Sequence, residues 1–310
     1  MKHDNTPYDD VFRTLLNDCT ELIPCLLKEL FGRPCTANEK VYFLPNEHFL
    51  NRQNGDTEKR ITDTCFAMES DMDKLFHLEC QPNPDGSFLI RSFEYDAQIG
   101  LDNGPLDDEI MNIRLPYSAV IYLREQKSEK SPLFIRLISY DGELCYEVKV
   151  LRVQDYSIEE IFTKGLLFLI PFYIFRYERQ FTFIEKDRFL QENLIDTYRF
   201  ISAKLEEATR QGIITEYTRC TLIDMTKKVM RNLTWKYENI RKRMVEFMVG
   251  PILEYRAKTL YNRGIQQGFQ RGKEECLREL IHAGILKQDE AANYLGMTRD
   301  EFGKIFTEEK

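Results

Sequence analysis

The sequence lacks most of the features that would assign it to a protein class at once. Its 310 residues include eight cysteines, but no two form a CxxC pair and none joins histidines at the spacing of a zinc site. Several cysteines lie in apolar runs, where a free thiol behaves as a small hydrophobe, so we expect a reducing, cytoplasmic compartment. The formal net charge of −8 argues against a protein that coats nucleic acid along its whole surface, but it allows a local basic patch.

Long hydrophobic stretches are also missing. The first residues, Met1 to Asn5, do not have the apolar core of a signal peptide. The longest apolar run extends from Gly165 to Phe175, contains Pro171 and is much shorter than the roughly 20 residues that span a bilayer. We therefore expect a globular protein without a membrane anchor, in which this run is a buried helix end.

Hydrophobic periodicity predicts a mixture of helices and strands in residues 1–185. Residues 41–49 make a poor strand candidate, and residues 51–59 are typical of a polar loop. The predicted elements are, in chain order, a helix over 8–31 with interruptions near Asp18 and Pro24, a hairpin over 62–81, a helix over 87–101, strands over 120–123, 134–139 and 144–153, and a helix from 157 to 175. This order predicts an α/β or α+β fold rather than a regular βαβ repeat.

The hairpin brings two carboxylates close to one polar spot. If its turn lies at Ser70–Met72, antiparallel pairing places Asp63 opposite Cys80, between Glu79 and Gln81. Side chains alternate along a strand, so Glu79 and Gln81 share one face while the apolar residues between and before them face the other way. Oxygen ligands gathered in this way suit Mg²⁺ or another hard divalent cation. The alternative is that the two acids belong to the solvated face of the hairpin, which their spacing alone favours.

Beyond Glu185 long amphipathic patterns replace the strand signals, over roughly 187–210, 215–231 and 236–262. Positive charge is concentrated in this part of the chain, at Lys227, Lys228, Arg231, Lys236, Arg241, Lys242 and Arg243. Trp235 and Tyr237 lie among these residues, and a basic cluster with aromatic side chains can follow a phosphate backbone. A solvated helical face is an equally good interpretation.

The last part of the sequence has a different pattern. Residues 263–273 carry a glycine at every fourth position, which weakens a helix and predicts a pliable helical linker. Residues 286–306 predict two short helices that form a small cap or a dimer contact. The expected organisation is a core over 1–185, a helical region over 186–262 and a linker with a small helical tail over 263–310.

Several short segments in this order resemble a known family. They are Asp9–Arg13, Arg60–Asp63, His77–Gln81, Arg91–Asp96, Leu169–Phe172, the glycine-spaced segment and an Ala-Ala-x-x-Leu-Gly ending. Together, and over most of the chain, they resemble the Rpn family of bacterial recombination-promoting nucleases, often labelled PD-(D/E)XK nuclease family transposases.

The resemblance implies a restriction-endonuclease-like core that hydrolyses DNA phosphodiesters with a divalent metal ion. Asp63 and Glu79 match the two metal-binding acids, the backbone carbonyl of Cys80 is implied as a further ligand, and Asp9 matches an additional acid on a helix. Gln81 takes the place of the superfamily's usual lysine. Glutamine can donate a hydrogen bond but carries no charge, so the metal must supply more of the charge stabilisation, and we expect slower or more Mg²⁺-demanding cleavage.

Two further interpretations follow from the residues around this core. Arg91 and Tyr95 are four residues apart on the predicted helix and could contact a DNA phosphate, although such residues more often form packing and surface pairs.

A homodimer is expected, because cutting both DNA strands often uses two active sites. The rival hypotheses are a degenerate nuclease fold that acts as a DNA-binding or protein-interaction module, and a helical assembly protein in which Asp63 and Glu79 are incidental.

Overall fold

The structure is a computed structural model that describes residues 7–34, 39–44, 47–51, 57–61, 64–83, 86–103, 110–124 and 132–248, with the single positions 281 and 286. Contacts divide the chain into two compact units, Met1–Val249 and Gly250–Lys310. The predicted glycine-spaced linker and helical tail lie almost wholly outside the described residues. The region boundaries at 185 and 262 stay predictions.

The described helices and strands all lie in the first unit. The α-helices are α1 (Pro7–Asp18), α2 (Ile23–Phe31), α3 (Phe88–Asp102), α4 (Ile158–Thr163), α5 (Phe181–Ile184), α6 (Arg188–Arg210), α7 (Glu216–Leu233) and α8 (Glu238–Met248). The strands are β1 (Val41–Phe43), β2 (Glu47–Asn51), β3 (Thr57–Ile61), β4 (Thr64–Met68), β5 (Asp71–Gln81), β6 (Tyr117–Tyr122), β7 (Leu133–Ser139) and β8 (Gly142–Arg152). Short 3₁₀ segments cover Thr20–Leu22 and Val153–Asp155, and a longer one covers Leu167–Gln180.

A mixed six-stranded sheet with the order β1-β4-β5-β6-β8-β7 organises this unit. Strands β5, β6 and β8 are parallel, whereas β4 pairs antiparallel with β5 and β7 pairs antiparallel with β8. The parallel pairing of β5 and β6 requires a crossover, which α3 supplies. A separate antiparallel ribbon contains β2 and β3. The fold is therefore mixed α/β, as the order of elements predicts.

Apolar side chains pack on both faces of the sheet. On one face Phe76 and Leu78 of β5 join a large core that includes Phe12 of α1 and extends into the helical part of the unit. On the other face Phe88 of α3 and Val120 of β6 belong to a smaller core. Because β5 alternates between these two environments, its even-numbered residues from 76 to 80 lie in the large core, and the residues between them face α3.

The long apolar run is buried, but it is not the continuation of one α-helix. A capping box begins helix α4, with the Ser157 hydroxyl accepting from the Glu160 amide and the Glu160 carboxylate accepting from the Ser157 amide. Helix α4 then ends at Thr163, and Gly165 adopts a left-handed conformation with φ of 70°. The following 3₁₀ segment, which contains Pro171, is fully buried from Leu167 to Phe175. No helix in the described part of the chain is long and apolar enough to cross a membrane.

Most predicted elements of the first unit are confirmed, and the clearest error lies between α2 and the hairpin. The poor strand candidate at 41–49 contributes β1 and β2, and the predicted polar loop at 51–59 overlaps β3. Strand β1 pairs with β4, with Val41 opposite Met68. Strand β1 depends on a neighbour distant in sequence, which outweighs the weak local preference of its residues, whereas β2 and β3 pair with each other.

A buried ion pair attaches the end of α2 to the β4–β5 turn. The Arg33 guanidinium pairs with the carboxylate of Glu39, and the same guanidinium donates to the Ser70 hydroxyl over 2.6 Å. Glu39 Oε1 also accepts hydrogen bonds from the hydroxyl and amide of Ser70, over 2.6 and 3.1 Å. The hydrogen bond from Arg33, against the opposing effect of burial and with help from Ser70, lowers the pKa of Glu39 to about 2.

The Glu39→Gln variant should therefore lose stability in a pH-dependent way. At neutral pH we expect a loss of about 1–3 kcal/mol, because Arg33 keeps its charge and loses its carboxylate partner. A carboxylate with a lowered pKa stabilises the fold above its unfolded pKa near 4.5 and loses this contribution as the pH falls through about 2. Urea unfolding across this range should show the two proteins converging at acid pH. The exposed Glu206→Gln substitution on α6 is the control, and a pH-independent difference would contradict the assignment.

Candidate functional site

The predicted hairpin is present, but its register differs by one residue from the prediction. Its turn lies at Glu69 and Ser70, and Thr64 pairs with Leu78 rather than with Glu79. The register shifts between Ala67 and Met68, where the ladder is irregular. An earlier turn and a bulge therefore replace the simple turn that the sequence predicts. Asp63, the first of the two predicted metal-binding acids, lies outside the described residues.

Glu79 lies on the predicted face of β5, but this face is buried. Only 3% of Glu79 is exposed, so its carboxylate is not part of a solvated hairpin surface. The Cys80 side chain points into the large core on the opposite face, and only its backbone could contribute a ligand. Gln81 is half-buried at the end of the strand, and its Nε2 donates to Glu79 Oε2 over 3.1 Å. One carboxylate oxygen of Glu79 is thus oriented by an amide that carries no charge.

A buried network of polar side chains lies beside Glu79. His77 Nδ1 is 2.7 Å from Asp96 Oδ1, and because the carboxylate can only accept, the imidazole donates. The Ser118 hydroxyl on β6 donates to the same oxygen over 2.7 Å, and the Tyr146 hydroxyl on β8 donates to Asp96 Oδ2 over 3.4 Å. The network therefore joins α3 to three parallel strands of the sheet.

The charge of this network affects His77. Burial lowers its pKa, but the hydrogen bond with Asp96 and the proximity of Glu79 outweigh that effect and raise the pKa to about 10. The hydroxyl of Tyr146 also has a raised pKa, because it is buried and faces Asp96. Asp96 contributes to both shifts, because a carboxylate in a low-dielectric environment favours positive charge and opposes new negative charge nearby.

The site lies where ligand sites are common in α/β sheets. Glu79 and Gln81 are near the carboxyl end of β5, and Gln81 pairs with Tyr122 at the carboxyl end of the parallel strand β6. On the other side β5 adjoins an antiparallel strand, so the sheet changes direction at β5. Open α/β sheets bind their ligands outside the carboxyl ends of strands, which is where Glu79 and Gln81 lie.

The described residues fit a metal site in part. Glu79 Oε1 is buried and accepts no hydrogen bond from another described residue, which is the state expected of a carboxylate oxygen reserved for a cation. However, no group of three or more His, Cys, Asp or Glu residues in the described ranges is arranged to hold a metal ion. A complete ligand set would need Asp63, which lies outside the described residues, together with the backbone carbonyl of Cys80.

The remaining predicted site residues near the sheet lie on helices α1 and α3 rather than on β5. Asp9 lies in the first turn of α1, whose buried side chains join the core on the opposite face from Glu79, and its place in the site stays a prediction. Arg91 and Tyr95 are one turn apart on α3, as predicted. The Tyr95 ring packs edge-on against the His77 ring with centroids 6.1 Å apart, and Arg91 donates to the Ser87 hydroxyl over 2.6 Å.

The predicted basic cluster spans α7, α8 and the turn between them, and acids compensate part of its charge. Arg243 pairs with Glu192 on α6, a contact that sequence spacing could not show. The other ion pairs join Lys242 to Glu238 over 2.7 Å and Lys228 to Asp10 over 3.3 Å. The cations without an ion pair to another described residue are Lys227, Arg231, Lys236 and Arg241. Lys236 lies over the ring of Trp235, which is 64% exposed.

Sequence reasoning did not identify His77, Asp96, Ser118 and Tyr146 as site residues. The sequence does contain a signal for His77 and another for Asp96. Alternation along β5 places His77 on the same face as Glu79, and Asp96 falls within the buried stripe of α3, where an apolar residue is the ordinary choice. No local pattern indicates Ser118 or Tyr146, because their contacts with Asp96 depend on the assembled sheet.

Comparison with known proteins adds no relative. No family model matches this chain, and no curated protein or solved structure matches it.

The His77–Asp96 pair has a measurable signature in the metal-free protein. We expect nitrogen-15 NMR to show that His77 remains an imidazolium well above pH 6.5 and titrates near pH 10. Because the pKa is raised on folding, the contribution to stability is complete below pH 6.5 and is lost as the pH rises through about 10. Asp96→Asn should lower this pKa, since it removes the charge and keeps an acceptor. Ser118→Ala keeps the charge and should shift the pKa much less. A His77 that titrates near 6.5 in the unsubstituted protein would contradict this prediction.

Proposed function

We propose that this chain is a metal-dependent DNA endonuclease of the Rpn type, with a restriction-endonuclease-like PD-(D/E)XK core. The observation that carries the proposal is the buried carboxylate of Glu79 at the carboxyl end of β5, next to Gln81 and with one oxygen lacking a hydrogen bond from the described residues. A mixed sheet with helices on both faces also supports it, because mixed central strands flanked by helices are the core that the resemblance implies.

The proposed residues have different tasks. Asp63, Glu79 and the carbonyl of Cys80 would hold Mg²⁺ or another divalent cation. When bound, such a cation polarises a phosphodiester and lowers the pKa of a water molecule. Gln81 orients Glu79 through its 3.1 Å hydrogen bond and can donate to a phosphate oxygen or to the attacking water. Since Gln81 is neutral, it cannot offset the charge that develops in the transition state.

The partners and the compartment belong to the same proposal. DNA is the substrate, and a homodimer would supply one site for each strand. None of the six cysteines in the described ranges forms a disulfide, which agrees with a reducing cytoplasm. Recombination, mobile-element activity and defence against phage are all compatible with such an enzyme.

A second candidate function is a nuclease fold that binds DNA or protein without cutting. Two observations favour it. Gln81 occupies the position where a lysine would provide positive charge, and Glu79 is almost fully buried and is already hydrogen-bonded on one oxygen. A carboxylate held in this way can be a structural element rather than a catalytic one.

Cleavage of supercoiled plasmid separates the two candidates. With Mg²⁺ present, we expect the unsubstituted protein to nick the plasmid, and Asp63→Ala or Glu79→Gln to slow nicking roughly 100-fold or more, as loss of a main electrostatic stabiliser does. The matched control is Glu206→Gln, which neutralises an exposed carboxylate on α6. Equal nicking by all four proteins would disprove the catalytic assignment, and DNA binding without nicking would favour the second candidate.

The basic cluster gives an independent test of DNA contact. Each cation that touches a phosphate contributes roughly 0.9 to the slope of log affinity against log salt concentration. Alanine substitution of Lys227, Arg231 and Arg241 should therefore flatten this slope. Lys242→Ala is the internal control, because Glu238 already compensates its charge and we expect a smaller change. An unchanged slope in the triple variant would show that this surface is only solvated.

A further inference from the structure

Two buried atoms face each other without a hydrogen bond to any described residue. They are Nε2 of His77 and Oε1 of Glu79, and they lie 3.5 Å apart. The side chains that carry them are only 1% and 4% exposed. Buried polar atoms nearly always have hydrogen-bond partners, so an adjacent pair without them indicates an unassigned role.

The orientation of His77 Nε2 is fixed from the other side of the ring. Nδ1 donates to Asp96, which in turn accepts from Ser118 and Tyr146, so the Nδ1 side of the imidazole is fixed by a carboxylate that is itself held by two strands. Tyr95 covers the ring edge-on. A histidine whose second nitrogen donates to a buried carboxylate is the usual arrangement of a metal-ligating histidine, because the carboxylate fixes the ring and increases its basicity.

A cation, either a proton on Nε2 or a metal ion, stabilises the close approach of these two atoms. An imidazole nitrogen lone pair and a carboxylate oxygen repel each other at this distance, and in a buried environment the repulsion is only weakly screened. A proton on Nε2 would relieve it, and so would a metal ion. Metal–nitrogen and metal–oxygen bonds in zinc sites are roughly 2.0–2.2 Å long, so two ligand atoms of a tetrahedral ion lie roughly 3.3–3.6 Å apart. The observed separation of 3.5 Å falls within this range.

We propose that His77 is a metal ligand beside Glu79, and that the site therefore binds a divalent transition-metal ion in preference to Mg²⁺. The inference deepens the proposed function and rests on it, because Glu79 is the metal ligand of the proposed nuclease. An imidazole nitrogen favours zinc, cobalt, nickel and iron ions, whereas a site made only of oxygen ligands suits Mg²⁺. Asp96 is then a positioning residue that acts through His77.

Metal binding to the full-length, metal-free protein tests the inference without any measurement of cleavage. Co²⁺ is the probe, because its visible absorption reports nitrogen ligation, and calorimetry gives the affinities for Co²⁺ and Mg²⁺. We expect His77→Gln to weaken Co²⁺ binding at least roughly 10–100-fold and to change the Co²⁺ spectrum, with little effect on Mg²⁺. Asp96→Asn should weaken Co²⁺ binding roughly 10–100-fold, as loss of such a partner typically does.

The controls distinguish a ligand from a structural residue. His282→Gln removes the same side chain from the second unit and should leave the Co²⁺ affinity unchanged. Circular dichroism and urea unfolding check that each variant folds. If His77→Gln does not fold, the unsubstituted protein still gives an answer, because titration with Zn²⁺ should shift the nitrogen-15 resonance of His77 Nε2 and leave Nδ1 bound to its proton.

Each outcome decides between the two proposals. Unchanged Co²⁺ affinity and spectrum in His77→Gln, or an Nε2 resonance that does not respond to Zn²⁺, would overturn the ligand assignment and show that a proton occupies this position. The nuclease proposal would then stand if Glu79→Gln still abolished nicking. Conversely, Co²⁺ bound through His77 in a protein whose nicking does not depend on Glu79 would support the site and refute the proposed function.

Discussion

The hydrogen bond between His77 and Asp96 is the interaction on which the arrangement of the candidate site depends. It joins the middle of β5 to α3, and Ser118 of β6 and Tyr146 of β8 donate to the same carboxylate. The crossover helix is therefore attached to three parallel strands through one acid with no exposed surface. An uncompensated carboxylate in this position would be very unfavourable, so the network both stabilises Asp96 and fixes how α3 lies on the sheet. Glu79 lies two residues after His77 on β5, so its side chain points to the same face of the sheet.

Stability alone gives little reason for this network. Buried ionic groups can often be replaced by apolar residues of similar volume without loss of stability, because desolvation cancels much of the attraction between charges. The opposite face of the same strand shows the simpler solution, since Phe76 and Leu78 pack there in an apolar core. A polar cluster that leaves buried atoms of His77 and Glu79 without hydrogen bonds from described residues therefore suggests function rather than stability.

The sequence predicts those features that depend on local periodicity. Alternation along β5 correctly separates Glu79 from Leu78, and the spacing of α3 correctly places Arg91 and Tyr95 one turn apart. Features that depend on distant neighbours were not predictable. The hairpin register differs by one residue because of a bulge, and Arg243 meets Glu192 only when α8 packs near α6. Part of the apparent positive charge of the basic cluster is therefore compensated by acids that lie elsewhere in the sequence.

The neutral side chain of Gln81 is consistent with the rest of the site. Its amide donates to one oxygen of Glu79 and leaves the charge of that carboxylate unchanged. A lysine ammonium at the same place would compensate that charge and would oppose the approach of another cation by like-charge repulsion. With glutamine, two buried carboxylates surround one imidazole, and their combined negative charge exceeds the single positive charge of the protonated ring. In the nuclease that we propose, a glutamine at this position therefore attracts a metal ion more strongly than a lysine would, and the bound ion would supply the positive charge that glutamine lacks.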